Sequence, residues 1–552
     1  MKKILFVFML FAVVTTLKAK DKTLDIASPD KTIDVEVNVG NKLTYSVSID
    51  KEMVVNASPM AMTLTNGTVW GKDCKLQKSS IKQINTTIAS PFTRQAEMKD
   101  QCTELTMQFK GYNVIVRAYN NGVAYKFVST TKGKYNIKDE TVVYNFTSDN
   151  TVTTPYVRDY TEGQTTLQQQ FYNSFENTYT TEPISKMNKK RLSFLPLIVD
   201  LGNNKKMCIT ETHLENYPGL YLIANDNKNQ LAGMNAPYPK TMHQGGHNML
   251  QMEVDETEDY IAKVEGPRSF PWRIAMISKS DKELAENNLS YILAAPSRVA
   301  DTSWIKPGKV AWDWWNDWNI SNVDFKSGVN NDTYKYYIDF ASAHRIEYVI
   351  LDEGWAVNKK ADLMQVVPEI DLQMIVDYAK KKNVDIILWA GYYAFDRDME
   401  NVVKHYAKMG VKGFKIDFMD RDDQIITDFY YRSAETCSRY KMICDFHGGF
   451  KPAGLNRTYP NVLNFEGVSG LEQMKWEPTS RDQMLYDSQL PFIRQTSGPM
   501  DYTQGAMRNA SKGNYYPCNS EPMSQGTRCH QLALYITLES PLNMLWGVLK
   551  IK

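Results

Sequence analysis

The chain of 552 residues is too long for a single ordinary domain, and about two to four domains are expected. Its 64 basic and 63 acidic residues give a net charge of +1, which excludes the strong charge asymmetry of proteins that bind nucleic acid or anionic membranes. Seven Cys residues are scattered without a CxxC pair, which excludes a dense disulfide framework; a bond between Cys74 and Cys102 is considered but not predicted.

The first residues have the pattern of a secretory signal peptide. Lys2 and Lys3 precede an apolar run from Ile4 to Leu17, and Leu17-Lys18-Ala19 is a candidate cleavage site. The run is too short to span a bilayer comfortably, no Cys follows it to carry a lipid anchor, and no later segment is apolar enough to span. We therefore predict that residues 1–19 are removed and that the mature protein is exported without a membrane anchor, into the periplasm of a bacterium.

Residues 20–295 have the pattern of an antiparallel β domain. Runs of alternating apolar and polar residues are separated by Gly, Asn and Asp turns, and few windows have a helical period. Such runs include Thr32–Val39, Leu43–Ile49, Val114–Ala118 and Ala124–Val128. Asn66-Gly67 and Asn121-Gly122 are typical of hairpin turns. These features predict a large N-terminal β-sandwich.

Two segments of this half differ from the strands. The segment Phe171–Thr180 (FYNSFENTYT) is polar and aromatic and contains one carboxylate, Glu176; its local sequence alone favours a surface loop. His243 and His247 in HQGGH are four residues apart, but the two glycines between them favour a loop over a helical metal site, so no role is assigned to them.

From residue 296 onward, short apolar strands alternate with segments of helical period. The predicted strands are Val310–Trp314, Ile346–Leu351, Val384–Trp389, Val411–Phe418, Met442–Phe446 and Val462–Phe465. The predicted helices are Tyr334–His344, Asp371–Lys382, Arg397–Met409 and Asp423–Tyr440. This alternation predicts a parallel sheet, and strands that end in polar or aromatic residues are typical of a (β/α)8 TIM barrel.

A doubly wound sheet is the alternative to the barrel. It would usually have a glycine-rich turn after its first strand, and VAWDWWNDW has none. Residues 296–552 are therefore assigned to a catalytic barrel. Gly498–Thr503 is a candidate for another strand end, and Arg528–Leu545 is predicted to be the final barrel helix.

Lys415 and Asp417 lie two residues apart in the predicted strand Val411–Phe418 (VKGFKIDF), so their side chains share one face of it. Charged side chains on an apolar strand are costly to bury without a partner or a function. One interpretation is a structural ion pair. The other is a catalytic carboxylate at the C-terminal end of a barrel strand, with the lysine holding a substrate hydroxyl.

A second group of carboxylates lies in NFEGVSGLEQ, where Glu466 ends a strand and Glu472 follows a flexible turn. Two carboxylates that flank a glycosidic bond are the minimum for glycoside hydrolysis, one as nucleophile or base and one as acid. Glutamates at this spacing could also share a hard cation such as Ca²⁺. For any single Glu an ordinary solvated loop residue is the commoner case.

The chain resembles glycoside hydrolase family 97, secreted bacterial α-glycosidases, and within it the retaining α-galactosidase branch. The resemblance covers the signal peptide, the sandwich and the barrel. The motifs that carry it are SFENTYT, AWDWW, LDEGW, GFKIDFMDRDDQ, DFHGG and NFEGVSGLE. Members of the family have a C-terminal β-sandwich after the barrel, which we expect this sequence to lack.

The resemblance implies a role for each matching residue. Asp417 matches the nucleophile, and Glu472 matches the general acid/base. Glu176, Glu466 and Glu472 match calcium ligands, which would place the N-terminal loop over the barrel mouth. The residues that it implies bind the sugar are Asp352, Glu353, Trp355, Lys415 and His447. The expected substrate is an α-galactoside or an oligosaccharide that ends in α-galactose, and the protein is expected to act as a monomer.

Three other functions are weighed against this one. An inverting α-glucosidase of the same family would use glutamate bases after two other strands, where this chain has Gly391 and Gly448. A glycan-binding protein without catalysis would have no need of both Asp417 and Glu472. A nucleotide-dependent enzyme would need a glycine motif that cradles phosphate, and the sequence has none.

Overall fold

The computed structural model describes residues 22–157 and 160–545. The predicted signal peptide, residues 1–19, lies outside the described residues. Within these two ranges, no helix combines the length and the apolar character needed to cross a membrane.

The N-terminal half is built almost entirely of strands. Its strands are β1 (Lys22–Ala27), β2 (Ile33–Val39), β3 (Leu43–Ile49), β4 (Glu52–Leu64), β5 (Val69–Trp70), β6 (Lys78–Ala89), β7 (Glu97–Phe109), β8 (Tyr112–Tyr119), β9 (Gly122–Phe146), β10 (Thr151–Pro155), β11 (Tyr179–Pro183), β12 (Ser193–Phe194), β13 (Leu197–Gly202), β14 (Lys205–Thr212), β15 (Leu220–Ala224), β16 (Gln230–Asn235), β17 (Pro239–Gly245), β18 (Gln251–Thr257), β19 (Ala262–Ser269) and β20 (Trp272–Ser278). Its helices are α1 (Leu167–Gln170), α2 (Asp281–Ala285) and α3 (Leu289–Ile292).

Strand β9 joins the two layers of this antiparallel assembly. It is 25 residues long and pairs with β4 and β16 in one layer and with β8, β19 and β20 in the other. Apolar residues at alternate positions of the strands meet between the layers in one core, which includes Val35, Val47, Leu105 and Val116. The predicted sandwich is confirmed, and both predicted Asn-Gly turns connect paired strands, β4 with β5 and β8 with β9.

The C-terminal half alternates strands and helices. Its main strands are β21 (Gly308–Trp312), β22 (Tyr348–Leu351), β23 (Asp385–Gly391), β24 (Gly413–Asp417), β25 (Ile443–Phe446), β26 (Val462–Phe465) and β29 (Leu542–Leu545), with the short pair β27 (Asn509–Ala510) and β28 (Ser524–Gln525) between the last two. Its helices are α4 (Asn331–Ala343), α5 (Leu372–Lys381), α6 (Tyr392–Asp396), α7 (Met399–Met409), α8 (Gln424–Arg439), α9 (Leu455–Thr458), α10 (Gln483–Gln489) and α11 (Arg528–Thr537). The side chains of Asn330, Asp371 and Asp423 accept hydrogen bonds from the first turns of α4, α5 and α8 and so fix where these helices begin.

The seven main strands form one parallel sheet in the order β26, β25, β24, β23, β22, β21, β29. Irregular backbone connects the two edges of this sheet. The Asp501 amide donates to the Phe465 carbonyl of β26, and the Met500 amide donates to the Glu539 carbonyl just before β29. The predicted barrel is therefore present and nearly closed, and the segment proposed as a strand end, Gly498–Thr503, bridges the gap without forming a strand among the described residues.

The prediction of one helix over Arg528–Leu545 is wrong. The helix α11 ends at Thr537, and Leu542–Leu545 is a strand that pairs in parallel with β21. Proline cannot continue a helix and disfavours helical backbone in the residue before it, so Pro541 separates the two elements. The alternating burial of Leu542 and Met544 is the pattern of a strand.

All seven cysteines are free. Cys74 lies beside the Tyr112 hydroxyl in the core of the sandwich, whereas Cys102 lies with Asp100 in a different apolar cluster. The disulfide considered for this pair is therefore not formed.

A buried network of charged side chains connects the two halves. Arg273 of β20 forms ion pairs with Glu140 of β9 and Glu211 of β14, and Glu211 also accepts from Lys451 Nζ of the barrel at 2.7 Å. All four side chains are almost completely buried. Because an unpaired buried charge is far more costly than a paired one, each member of the network depends on the others.

We predict that Glu211→Gln destabilises the protein by about 3–5 kcal/mol, because it leaves both Arg273 and Lys451 buried and undercompensated. Asp34→Asn is the matched control, since Asp34 pairs with the exposed Lys51 and its loss should cost under about 1 kcal/mol. The measurement is the free energy of unfolding in urea, followed by tryptophan fluorescence. Equal effects of the two substitutions would show that the buried network does not stabilise the contact between the halves.

Candidate active site

Polar side chains from three neighbouring barrel strands meet at the C-terminal end of the sheet. Asp417 is the last residue of β24, and His447 and Glu466 directly follow β25 and β26. One level below, Lys415 and Asp445 are paired across β24 and β25. The alternation of side chains along each strand places both levels inside the barrel, which is where (β/α)8 enzymes have their active sites.

A cavity of about 350 Å³ opens at this end of the barrel. It is lined by Ser174, Glu176, His247, Trp314, Trp318, Asp352, Glu353, Trp389, Lys415, Asp417, Phe418, Asp420, Gly448, Glu466, Glu472, Gln473 and Trp476. A larger cavity of about 700 Å³ lies elsewhere, around Lys134, His213 and Arg268, and has none of the strand-end carboxylates in its lining. The smaller cavity is therefore the candidate active site.

The Asp417 carboxylate is held by two N–H donors. Oδ1 accepts from the Phe418 amide at 2.7 Å, and Oδ2 accepts from Trp389 Nε1 at 3.1 Å. Burial raises the pKa of Asp417, while the nearby His447 and Lys415 cations oppose that shift. The two donors hydrogen-bond to the carboxylate, so they fix its orientation and favour its ionised form.

Glu472 lies on a short 3₁₀ helix, Leu471–Lys475, which follows β26 in the chain. Its Oε2 accepts from Trp314 Nε1 at 3.1 Å, and its own amide donates to the Thr503 hydroxyl at 3.4 Å. The side chain is 8% exposed, yet it lines the cavity together with Asp417. Each of the two carboxylates is thus oriented by one indole N–H.

Glu176 reaches the barrel mouth from the N-terminal half. Its loop is anchored where the Asn173 amide donates to the Asp420 carbonyl at 2.7 Å and where Phe175 packs against Phe450. The Gln473 side-chain amide, next to Glu472, donates to Glu176 Oε1. The loop therefore contributes a carboxylate to the cavity, as the resemblance implied for the segment Phe171–Thr180.

Two of the cavity acids and one histidine beneath them come close enough to share a cation. Ligand atoms of His447, Glu466 and Glu472 all lie within 4.8 Å of one another. Burial and the Glu472 carboxylate raise the pKa of Glu176 to about 7, and burial and Glu176 raise the pKa of Glu466 well above its usual range. Carboxylate oxygens are the ligands that hard divalent cations prefer, so Glu466 and Glu472 fit such an ion.

Lys415 forms an ion pair with Asp352 at 2.9 Å and lies over the Trp312 ring at 4.2 Å. Burial alone would raise the pKa of Asp352, but the Lys415 ammonium and the Trp312 N–H hold it below its usual value. Burial would likewise lower the pKa of Lys415, but the Asp352 and Asp417 carboxylates raise it. Both groups are therefore charged, and both line the cavity.

His447 lies beneath the cavity and is not part of its lining. Its Nε2 is 2.6 Å from Asp501 Oδ2, and its Nδ1 is 3.4 Å from Glu466 Oε1. Burial and the Lys415 charge would lower the pKa of His447, but the surrounding carboxylates of Glu466, Asp445 and Asp501 raise it well above its usual value. This imidazolium supplies positive charge directly under the strand-end acids.

Trp355 also lies outside the cavity lining. It is 1% exposed and donates its indole N–H to the Trp389 carbonyl at 2.9 Å. Its contacts are those of a core residue that supports Trp389, the indole that holds Asp417. Seven of the predicted site residues do line the cavity: Glu176, Asp352, Glu353, Lys415, Asp417, Glu466 and Glu472.

Several residues in or near the site were given no role from the sequence. They are His247, Asp313, Trp314, Trp318, Trp389, Asp420, Gln473, Trp476 and Asp501. Asp420 lines the cavity, and burial and Asp417 raise its pKa to about 8. The signal for Trp389 was its position at a strand end, whereas nothing local to His247 or Asp501 indicated that either would meet the barrel.

Comparisons with known proteins agree with this architecture. The family model described as Glycoside hydrolase 97 matches residues 314–468, and the one described as Glycosyl-hydrolase 97 N-terminal matches residues 26–296. A curated relative from Bacteroides thetaiotaomicron, named "Retaining alpha-galactosidase", is 62% identical over 546 residues, which cover 99% of this chain and 82% of the relative.

Two solved structures share the fold. One is a glycoside hydrolase family 97 enzyme in complex with acarbose from Pseudoalteromonas sp. strain K8, with a TM-score of 0.78 and 22% identity over 94% of this chain and 80% of that one. The other is described as a beta-arabinopyranosidase, with a TM-score of 0.76 and 22% identity over 95% and 82% of the two chains. With both family models and a highly identical relative in agreement, the chain belongs to glycoside hydrolase family 97, whose members cleave glycosidic bonds.

Proposed function

We propose that this protein is an exported α-galactosidase that releases terminal α-galactose with retention of configuration. The observation that carries the proposal is the pair Asp417 and Glu472, which line one cavity and are each held by an indole N–H. The ion pair of Lys415 and Asp352 beside them offers charged groups for sugar hydroxyls. The name of the relative from Bacteroides thetaiotaomicron agrees with this activity.

Space at two glycines favours retention over inversion. A Cβ at Gly448 would lie 2.8 Å from Asp417 Oδ1 and 2.7 Å from the Phe418 amide nitrogen. A Cβ at Gly391 would lie 2.7 Å from the Leu250 side chain. These are the two positions where the inverting branch is expected to place its bases, so a base at either would have to displace Asp417 or Leu250. The inverting α-glucosidase is therefore the weaker candidate.

In the first step, Asp417 attacks the anomeric carbon while Glu472 protonates the glycosidic oxygen. The bond between the anomeric carbon and Asp417 forms as the bond to the leaving group breaks, and the proton leaves Glu472 with the released alcohol. The donors Trp389 and Phe418 orient the Asp417 carboxylate and favour its ionised form, and Trp314 orients Glu472 by donating to its Oε2.

In the second step, Glu472, now ionised, takes a proton from a water molecule that attacks the anomeric carbon. The bond to Asp417 breaks, and both carboxyl groups return to their starting states. Two inversions at the same carbon give α-galactose. The same Glu472 acts as acid and then as base, which requires a side chain that stays in one orientation through both steps.

Glu176, Glu466 and Glu472 would hold a calcium ion in this proposal. When bound, the ion would neutralise part of the charge in this group and favour the ionised forms of Glu176 and Glu466. His447, whose Nδ1 is near Glu466, would orient that ligand from below. The ligand role of Glu176 explains why an N-terminal loop is anchored over the barrel mouth.

We predict that α-galactose is the first sugar anomer released from an aryl α-galactoside in the presence of calcium. Retention follows from the two displacements at one carbon, and proton NMR of the purified protein follows both anomers over time. β-Galactose appearing first would contradict the role of Asp417. Release from an aryl α-glucoside but not from the galactoside would contradict the proposed sugar, and inertness toward both would favour a glycan-binding protein.

We predict opposite stereochemical outcomes when azide rescues two variants. In Asp417→Gly, azide replaces the nucleophile and gives β-galactosyl azide after nearly complete loss of ordinary turnover. In Glu472→Ala, azide attacks the covalent intermediate and gives α-galactosyl azide, after a loss of about 10²–10⁴-fold on substrates that need a protonated leaving group. Product NMR distinguishes the two azides, and the same azide from both variants would refute the assignment of roles.

We predict that removing calcium with a chelator abolishes activity and that added Ca²⁺ restores it. Glu176→Gln should raise the calcium concentration for half-maximal activity by about 10-fold or more, because it removes a charged oxygen ligand. Glu253→Gln, a change on strand β18 outside the acid group, is the control. Full activity of metal-free protein, checked by elemental analysis, would contradict the metal assignment.

A further inference from the structure

A loop of the N-terminal half, Gly246–Met249, reaches the same barrel mouth from the hairpin β17–β18. This hairpin forms a sheet of its own and is not paired with the sandwich strands. Its loop places His247 in the lining of the cavity that contains Asp417. The proposed mechanism gives this loop no task.

The loop has an unusual backbone that its neighbours hold in place. Gly246, Asn248 and Met249 all have positive φ values, of 67°, 48° and 63°. Non-glycine residues in this region cost of order 1–3 kcal/mol each and cluster at functional sites. Gln251 secures the loop, because its Oε1 accepts from the His247 amide at 2.9 Å and its Nε2 donates to Asp420 Oδ2 at the barrel.

The backbone of this loop places the side chains of His247 and Asn248 against the Glu353 carboxylate in the cavity. His247 Nε2 is 2.9 Å from Glu353 Oε2, and Asn248 Nδ2 donates to Glu353 Oε1 at 2.6 Å. The imidazole lies against the Phe418 ring with a centroid distance of 4.4 Å. The carboxylate and the ring that directly follows Asp417 therefore fix the imidazole on two sides.

The second ring nitrogen of this imidazole, Nδ1, is available for a further hydrogen bond. Among the residues that the structure describes, no hydrogen bond is made by His247 Nδ1, and the side chain keeps 46% of its surface exposed. The hydrogen bond to Glu353 raises the pKa of His247 despite its partial burial. An imidazole with one ring nitrogen engaged and the other free can form a hydrogen bond with a hydroxyl group.

The residue that follows the loop occupies the space beside Gly391 of the barrel. Leu250, the residue after the loop, packs where a side chain at Gly391 would lie, and its carbonyl accepts from the Tyr393 amide at 2.9 Å. The loop is therefore fitted to the end of β23 and can occupy that position only because residue 391 has no side chain.

We propose that His247 binds a hydroxyl group of the terminal sugar and so helps to set which pyranose the enzyme accepts. The inference rests on the proposed function, because it concerns the sugar bound beside Asp417. Asn248 and Gln251 are positioning residues, which orient His247 and do not contact the substrate. The N-terminal half thus contributes His247 to the sugar-binding wall, where it lies against Glu353 of the barrel.

The test compares His247→Phe with wild type on aryl α-galactosides that lack single hydroxyl groups, at C3, C4 or C6. His247→Phe keeps the ring against Phe418 but removes both N–H donors. We expect a loss of about 10–100-fold in kcat/KM on the parent substrate, as for a hydrogen bond to a charged group. On one deoxy substrate, which lacks the hydroxyl that His247 binds, the variant and wild type should differ by less than about twofold.

Two further variants test whether the loss of activity is specific to the hydrogen bond of His247. His243→Phe is the matched control, since His243 lies on the same hairpin, pairs with Asp255 and is outside the cavity lining; its kcat/KM should equal that of wild type. His247→Gln keeps an N–H donor and should recover part of the lost activity, which a misfolded loop would not allow. Thermal unfolding of each variant reports whether the fold is intact.

The inference is overturned if His247→Phe matches wild type on every substrate, or if it loses the same factor on the parent and on all deoxy substrates. Either result would make the loop a structural element. Failure of the proposed function looks different, because wild type itself would then be inactive on the parent galactoside. If wild type cleaves aryl α-glucosides instead, the gluco deoxy series tests His247 by the same criterion; if it cleaves neither, both proposals fail.

Discussion

The structure depends on bringing many carboxylates to one barrel mouth without leaving their charges uncompensated. Ionised carboxylates are very costly to bury unless they are paired, hydrogen-bonded or bound to a metal. The buried cations at this level are Lys415 and His447, and they are engaged by Asp352 and Asp501. Burial and the neighbouring carboxylates raise the pKa values of Glu176, Glu466 and Asp420. A cluster of this kind favours the binding of positive charge at the barrel mouth.

The barrel strands position most of the site, and two loops of the N-terminal half complete its lining. Asp417, His447 and Glu466 are set by strand register, so their relative positions follow from the parallel sheet. Glu176 and His247 instead come from loops of the β half, and each is tied to the barrel by a hydrogen bond to the stretch that follows β24. The buried network of Arg273, Glu211 and Lys451 holds the two halves in one orientation and so keeps those loops over the cavity.

At two glycines of the barrel mouth, neighbouring groups occupy the space that a side chain would need. A side chain at Gly448 would meet the Asp417 carboxylate, and one at Gly391 would meet Leu250. A longer side chain after β25 would therefore compete with Asp417 for space, whereas one at the end of β23 would compete with Leu250 of the hairpin.

The sequence by itself determined the class of each half and the strand ends that carry Asp417 and Glu466, because strand alternation, helix periodicity and turn chemistry are local properties of the chain. It did not determine which polar residues share the cavity. Trp355 and His447 lie outside the cavity lining, whereas His247 lies within it. The last strand was predicted as helix because its partner, β21, is more than two hundred residues away in the chain. These outcomes were decided by tertiary packing, since the contacts that fix a loop or an edge strand are made with residues distant in the chain and leave no periodic signal in its own sequence.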